Sequence, residues 1–406
     1  MSSRPTVRFM DRSTPPHIMT LVLLAGLGAL SMNVFLPSLP VMAAFFGTEY
    51  RVIQLSVSLY LGVNAVLQVF IGPISDRYGR RPVMLASIVI FLLATLGTLV
   101  APSVEAFLTF RALQAVIVAG LVLSRAVVRD MVPQEEAASM IGYVTMGMAI
   151  VPMIGPLIGG ALEEAFDWRA SFVLLFVAGV ATLALAWTDM GETAQHRSAS
   201  FGEQFRQYPE LLTARRFWGY CASAAFASGA FFAYLGGAPY VGTEVFRLSP
   251  AALGFYFGAP ALGYGIGNYI SGRYSVRFGI NRMVLAGTLI SSAGLVVLIP
   301  IYALGAAHPA VFFGFFTSVG LGNGMVLPNA TAGMLSVRPR LAGSASGLGG
   351  AIMIGGGAAL SALAGAVLSP GSGPYPLLYL MLATSLASVV SILYVIRRQR
   401  EVGLPE

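Results

Sequence analysis

Ten consecutive residues, Gly72-Pro73-Ile74-Ser75-Asp76-Arg77-Tyr78-Gly79-Arg80-Arg81, set one carboxylate among three guanidinium groups between two long apolar runs. A carboxylate can hold arginines through charge-assisted, bidentate hydrogen bonds, so Asp76, Arg77, Arg80 and Arg81 form a candidate latch. The same arginines also read as plain markers of membrane orientation. Arg111 is a second centre, because it is the one charge well inside an apolar run. Burying it there costs at least ~2.5 to 3.5 kcal/mol on insertion scales, so it must face a cavity or a partner, or else reach the nearer interface along its stem. Gln114 follows one turn later and can share a proton or substrate network with it. Tyr60, Asn64 and Gln68 recur at every fourth position, a polar stripe that either lines a cavity or bonds a neighbouring helix. Phe231, Tyr234 and Tyr264 can wall a path for an amphiphilic substrate or serve as packing.

These groups are strung on apolar elements. Hydrophobic residues make up 56% of the 406, charged residues only 10%, and the mean hydropathy is +0.78. A transmembrane helix needs about 20 mostly apolar residues. Twelve stretches qualify: 17–39, 51–71, 82–101, 104–126, 138–163, 167–188, 215–236, 251–272, 282–303, 309–331, 343–367 and 375–396. None alternates as an outer-membrane strand would. The expected class is an all-α membrane protein of twelve spans in two six-helix bundles. The first bundle covers residues 1–188 and the second 217–406, with the polar stretch 189–216 as a linker.

A repeat supports the division. The elements of the first loop return about 200 residues later as Gly272, Ser275, Arg277, Phe278, Gly279 and Arg282. At the same offset Asn64 and Gln68 match Tyr264 and Asn268, and Gly147 and Gly155 match Gly347 and Gly355. A duplicated membrane protein is the simplest reading. All the basic residues are arginines. With a cytoplasmic amino terminus, only Arg51, Arg169 and Arg247 face outward, Arg111 stays within the membrane, and the remaining arginines face the cytoplasm. Both termini are therefore expected inside, and the net charge of +7 reflects this bias rather than nucleic-acid binding.

Catalysis is poorly supplied. The chain has no lysine for a phosphate-binding loop or a Schiff base, and His17, His196 and His308 stand apart. The single Cys221 excludes an internal disulfide and thiolate metal sites. No metal and no cofactor are expected. The partners are the lipid bilayer, a small-molecule substrate and protons, and the chain is read as a monomer.

Four motifs together resemble the major facilitator superfamily, and within it the drug-proton antiporters of the bicyclomycin, chloramphenicol and florfenicol resistance group. They are the loop from Gly72 to Arg81, Arg111-Ala112-Leu113-Gln114, Gly155-Pro156-Leu157-Ile158-Gly159-Gly160 and Leu36-Pro37-Ser38-Leu39-Pro40. The resemblance implies efflux of small amphiphilic drugs across the bacterial inner membrane by alternating access. It implies a cytoplasmic latch in which Asp76 and Arg80 of the loop carrying Gly72 and Gly79 meet Asp130, and an antiporter helix marked by Gly147, Gly155, Pro156 and Gly159. One departure stands out: such proteins commonly carry an acid just before Leu-Pro-x-Leu-Pro, where this chain has Asn33. Asn33 cannot titrate, which leaves Glu163, Glu164 or Asp130 as proton acceptor, or a uniporter. A metabolite exporter is the alternative among transporters. A non-transporting membrane scaffold or receptor is the alternative of another class.

Overall fold

A computed structural model describes residues 7–132, 140, 144, 151, 154–194, 208–305, 308–338, 342–369 and 371–401. All regular structure among them is helical. Ten helices are long and apolar enough to cross a membrane. Of the twelve stretches expected, 138–163 falls half outside the described residues, and 251–272 is helical but not apolar and unbroken enough to qualify.

The helices in chain order are α1 (Ile18–Asn33), α2 (Leu39–Phe45), α3 (Tyr50–Tyr78), α4 (Arg80–Leu99), α5 (Val104–Gln114), α6 (Val118–Met131), α7 (154–165) and α8 (Arg169–Asp189). They continue as α9 (Tyr208–Leu212), α10 (Arg215–Tyr240), α11 (Pro250–Phe257), α12 (Ala259–Phe278), α13 (Ile280–Ala303), α14 (Pro309–Val337), α15 (Ala342–Val367) and α16 (Tyr375–Glu401). Breaks fall where backbone chemistry demands them. Pro37 turns the first span into a short 3-10 segment, Leu36–Ser38, before α2 resumes. Gly258 and Pro260 separate α11 from α12.

Helices α1, α3, α4, α5, α6 and α8 pack on one another, and α10, α12, α13, α14, α15 and α16 form a second group. Facing helices α3 and α15 run along each other and join the two. Small residues set the close approaches. A Cβ on Gly120 would strike the Leu24 carbonyl, and one on Gly324 would strike the Tyr264 carbonyl. The fourth span continues to Met131, past its expected end at 126, so Arg129 and Asp130 lie inside a helix rather than in a loop.

Before α1, residues 7–17 dock on the end of α8. Asp189 is fully buried there and accepts from Met10 N at 2.7 Å, His17 N at 2.8 Å and Thr20 Oγ1 at 2.6 Å. The outlying Asp11 accepts from the Ser13 hydroxyl and backbone N–H, which hold its carboxyl below the ordinary range.

Candidate functional site

At the end of the molecule carrying Gly79, α3 stops and α4 starts around a single residue. Gly79 adopts φ +101° and ψ 150°, and its N–H donates to Ser75 O at 2.9 Å. A Cβ there would meet Glu192 Oε2, so glycine is required both by conformation and by space. The turn delivers Arg80 into a carboxylate pair. Its Nη1 contacts Asp76 and Ser75 Oγ, and its Nε donates to Asp130 Oδ2 on α6 at 3.0 Å. The candidate latch residues Asp76, Arg80 and Asp130 therefore meet.

Their neighbours divide. Arg81 turns away from the carboxylates, donating to Trp187 O at 3.1 Å and lying over the Trp187 ring. Arg77 is exposed and lies over the Tyr78 ring. The Gly72 carbonyl accepts from Ser75 Oγ at 2.7 Å. The segment after α8 adds two partners that residue types alone did not point to. Glu192 accepts from the N–H groups of Arg80 at 2.9 Å and Arg81 at 3.3 Å, capping α4, and Thr193 Oγ1 donates to Asp130 at 3.3 Å.

Arg111 sits at the last turn of α5, fully buried. Its guanidinium lies 4.4 Å from the Phe35 ring centroid and 4.5 Å from that of Tyr60. Nη1 donates to Gln114 Oε1 at 2.7 Å and to Ser31 Oγ at 3.3 Å, and Gln114 passes the chain on to Thr95 Oγ1 at 2.7 Å. Nε and Nη2 find no hydrogen-bond partner among the described residues. The Arg111 and Gln114 pair therefore forms, joined by Tyr60, whose hydroxyl donates to Gly28 O at 3.3 Å.

The polar stripe splits. Tyr60 belongs to the Arg111 cluster, whereas Gln68 Nε2 donates to Asn64 Oδ1 at 2.6 Å, both half-buried, with Gln68 Oε1 against Gly350 of α15. Asn33 is elsewhere again. It shares α1 with Ser31 but leans toward Gly155, its Nδ2 donating to Ala29 O at 2.7 Å and its Oδ1 buried without a partner among the described residues. Gly155 and Gly159 press against α1, and a Cβ on Gly159 would strike the Val34 carbonyl. Pro156 O touches Gly254 of α11. Gly147 lies outside the described residues.

In the second group, Tyr234 is sealed among Phe257, Phe313 and Phe316, with Phe231 stacked at 6.3 Å. Tyr264 is half-buried, and its carbonyl accepts from Asn268 Nδ2 at 2.8 Å.

The opposite end, carrying Arg51, holds ties between the two groups that span patterning did not reveal. Buried Gln54 donates to Ser361 O at 2.7 Å and Ser361 Oγ at 2.9 Å, and Tyr50 Oη donates to Gly236 O at 2.7 Å. Glu164 accepts from Ser249 Oγ at 3.2 Å and from Ala251 N at 3.3 Å, at the first turn of α11. A glutamine inside an apolar span was the available signal for Gln54; its partner 307 residues away left none.

Sequence comparison decides the family. Residues 21–362 and 238–406 match the Major Facilitator Superfamily. The chain belongs to that superfamily. Among its superfamily relatives, the uncharacterized MFS-type transporter YdgK of Bacillus subtilis is 30% identical over 357 residues, 86% of each chain. Multidrug resistance protein D of Escherichia coli is 30% identical, covering 89% of this chain and 91% of the relative. A chloramphenicol resistance protein of Pseudomonas aeruginosa is 34% identical over 285 residues, covering 68% of this chain and 67% of the relative. The fold matches a bacterial homologue of the human lysosomal transporter Spinster, solved inward-facing and occupied, with a TM-score of 0.68 at 16% identity, covering 94% of this chain and 96% of that one. This superfamily member is thus a multi-pass membrane transporter of small molecules.

Proposed function

We propose that the chain exports small amphiphilic drugs across the bacterial inner membrane, working as a monomer with both termini in the cytoplasm. Residues 1–188 and 217–406 rock against each other about the 189–216 linker, with the Gly79 end facing the cytoplasm. Relatives named for chloramphenicol and multidrug resistance support the substrate class. The observation that carries the reading is Arg111, a buried cation between two aromatic rings whose Nε and Nη2 have no hydrogen-bond partner among the described residues. Arg111 disfavours cationic substrates and favours uncharged compounds rich in hydrogen-bond acceptors. Phe231, Tyr264 and Asn268 contribute the facing wall, with the buried Tyr234 backing Phe231.

Proton exchange is assigned to Glu163. Asn33 cannot titrate, and Asp189 is fully engaged by three donors. Glu163 is buried, and its Oε2 is without a partner among the described residues. It also adjoins Glu164, which ties the two groups at the Arg51 end. Protonation there can be linked to opening of that end.

Proteoliposomes loaded with chloramphenicol under an imposed pH gradient test both parts. Gradient-driven efflux is expected for the wild-type chain, with Glu163→Gln retaining downhill flux but no longer responding to the gradient. Wild-type flux indifferent to the gradient would make the chain a uniporter, and absence of flux for a panel of uncharged drugs would favour a scaffold or receptor.

A further inference from the structure

The span that carries Arg111 holds a second arginine. Orientation counting groups Arg125 with the cytoplasmic arginines, but it lies inside α6, half-buried, and its Nε is shut off from solvent with no hydrogen-bond partner among the described residues. The span crosses as one element from Val104 to Met131. Fourteen residues separate Arg111 from Arg125, close to four helical turns, so both stand on about the same side of it, roughly 20 Å apart along the axis.

The two sides of α6 differ. Ser124, Val127, Val128 and Met131 are buried, and Ser124 Oγ donates to Leu21 O of α1 at 3.1 Å, so that side belongs to the first helix group. Leu121, Val122 and Arg125 are half-buried and Arg129 is exposed, which leaves the other side turned toward the second group. There the Arg125 guanidinium comes within electrostatic reach of Tyr264 on α12. Tyr264 belongs to the wall assigned to the transport path, so Arg125 stands on that path as well.

Counter-charge is missing along this stretch. No Asp or Glu occurs between Glu105 and Asp130, and neither Arg111 nor Arg125 forms an ion pair among the described residues. A cation is repelled at both levels of such a path, and an uncharged molecule leaves both guanidinium groups without a counter-ion. An anion supplies the missing charge, and its oxygens accept from the arginine fork. Tyr264 beside Arg125 offers an aromatic surface to an apolar body attached to that anion.

We propose that the path takes amphiphilic organic anions, aromatic sulfonates and carboxylates, in addition to uncharged drugs, with Arg125 binding the acid group and Tyr264 against the apolar body. This substrate class deepens the export reading above and rests on it for the path.

Isothermal titration of the purified full chain in detergent compares naphthalenesulfonate with naphthalenesulfonamide, which has the same ring and no charge. The sulfonate should bind the wild-type chain about tenfold more tightly or better, as expected of one charge-assisted pair. Arg125→Gln should lower that ratio about tenfold, and Arg125→Lys, which keeps the charge without the fork, should hold part of it. The exposed Arg12→Gln serves as control and should leave the ratio unchanged. The wild-type ratio needs no variant, so a value near one overturns the anion preference even if Arg125→Gln fails to fold. A ratio that Arg125→Gln leaves unchanged, or that Arg12→Gln lowers equally, overturns the assignment to Arg125. In proteoliposomes the sulfonate should slow chloramphenicol efflux, and lack of competition would place the anion site off the path. The two readings fail separately: chloramphenicol flux without a sulfonate preference sinks this proposal alone, whereas an Arg125-dependent preference without flux of either compound sinks the export reading alone.

Discussion

Gly79 and Gly279 end their helices in the same left-handed turn, with φ +101° and ψ 150° at the first and φ +83° and ψ 153° at the second. Each N–H donates to the serine four residues back, at 2.9 Å in both. The duplication is thus preserved in backbone geometry where the surrounding side chains have diverged. In the first copy the turn is also crowded, by Glu192 and by Pro82. Gly79→Ala should cost roughly 1–3 kcal/mol in conformation alone, with displacement of the Glu192 cap in addition. A lowered melting temperature in detergent is the expected result; an unchanged one would show that the turn relaxes freely.

Arg80 is the hub of its cluster, with its side chain 12% exposed and two carboxylates in contact. Asp130→Asn removes the charge from the bond that crosses from α4 to α6 and leaves Asp76 as the one carboxylate in contact with the guanidinium among the described residues. Such a half-buried pair is worth on the order of 1–3 kcal/mol, so the balance between conformations should shift about tenfold and turnover should fall by a comparable factor. A cycle with Arg80→Gln separates interaction from general damage. The two losses should be strongly non-additive in the transport rate, and simple additivity would remove the latch from the cycle.

Arg111 opposes stability to function. No carboxylate pairs with it among the described residues, so its burial is offset only by two rings, Gln114 and Ser31. Replacing a poorly compensated buried charge with a side chain of similar length stabilises by roughly 1–4 kcal/mol in comparable cases. Arg111→Met should therefore raise the melting temperature while efflux falls by about tenfold or more. Arg111→Lys keeps the charge but loses the planar fork and the stacking, and it should not restore efflux. Full rescue by lysine would mean that charge alone matters there.

What could be read along the chain, and what could not, follows from the range of each interaction. The spans were legible because apolar length is a local property, and the Asp76, Arg80 and Asp130 meeting was implied by a motif whose loop keeps two of its members four residues apart. Arg111 was legible as a solitary charge, and Gln114 as its neighbour on the same helix. Its ring partners were not, because Phe35 and Tyr60 come from two other helices whose rotations no short pattern sets. The every-fourth-residue stripe on α3 divides for the same reason: Tyr60 bonds the neighbouring α1, while Gln68 donates to Asn64 on its own helix. Arg129 and Asp130 fall beyond the expected end of the fourth span because hydropathy fades at polar residues before the helix ends. Glu192 and Thr193 were hidden in a segment that looked like a plain linker.

Gln54 joins helices 307 positions apart, and its removal tests how the two groups separate at the Arg51 end. Its amide donates to both the carbonyl and the hydroxyl of Ser361, and both residues are fully buried. Gln54→Leu leaves that carbonyl without this donor, a loss of about 1–3 kcal/mol in the closed arrangement only. If that end opens during transport, the open arrangement has already given up this bond, so the variant should favour it by about tenfold or more. Ser58 lies one turn further on and is 7% exposed, so a Ser58→Cys reporter senses the opening. The native Cys221 is buried and adds little background. Thiol labelling of the reporter should quicken when Gln54→Leu is combined with it. Equal labelling rates in the two backgrounds would mean that the α3 and α15 contact does not part during the cycle, and the rocking of the two groups would have to open elsewhere.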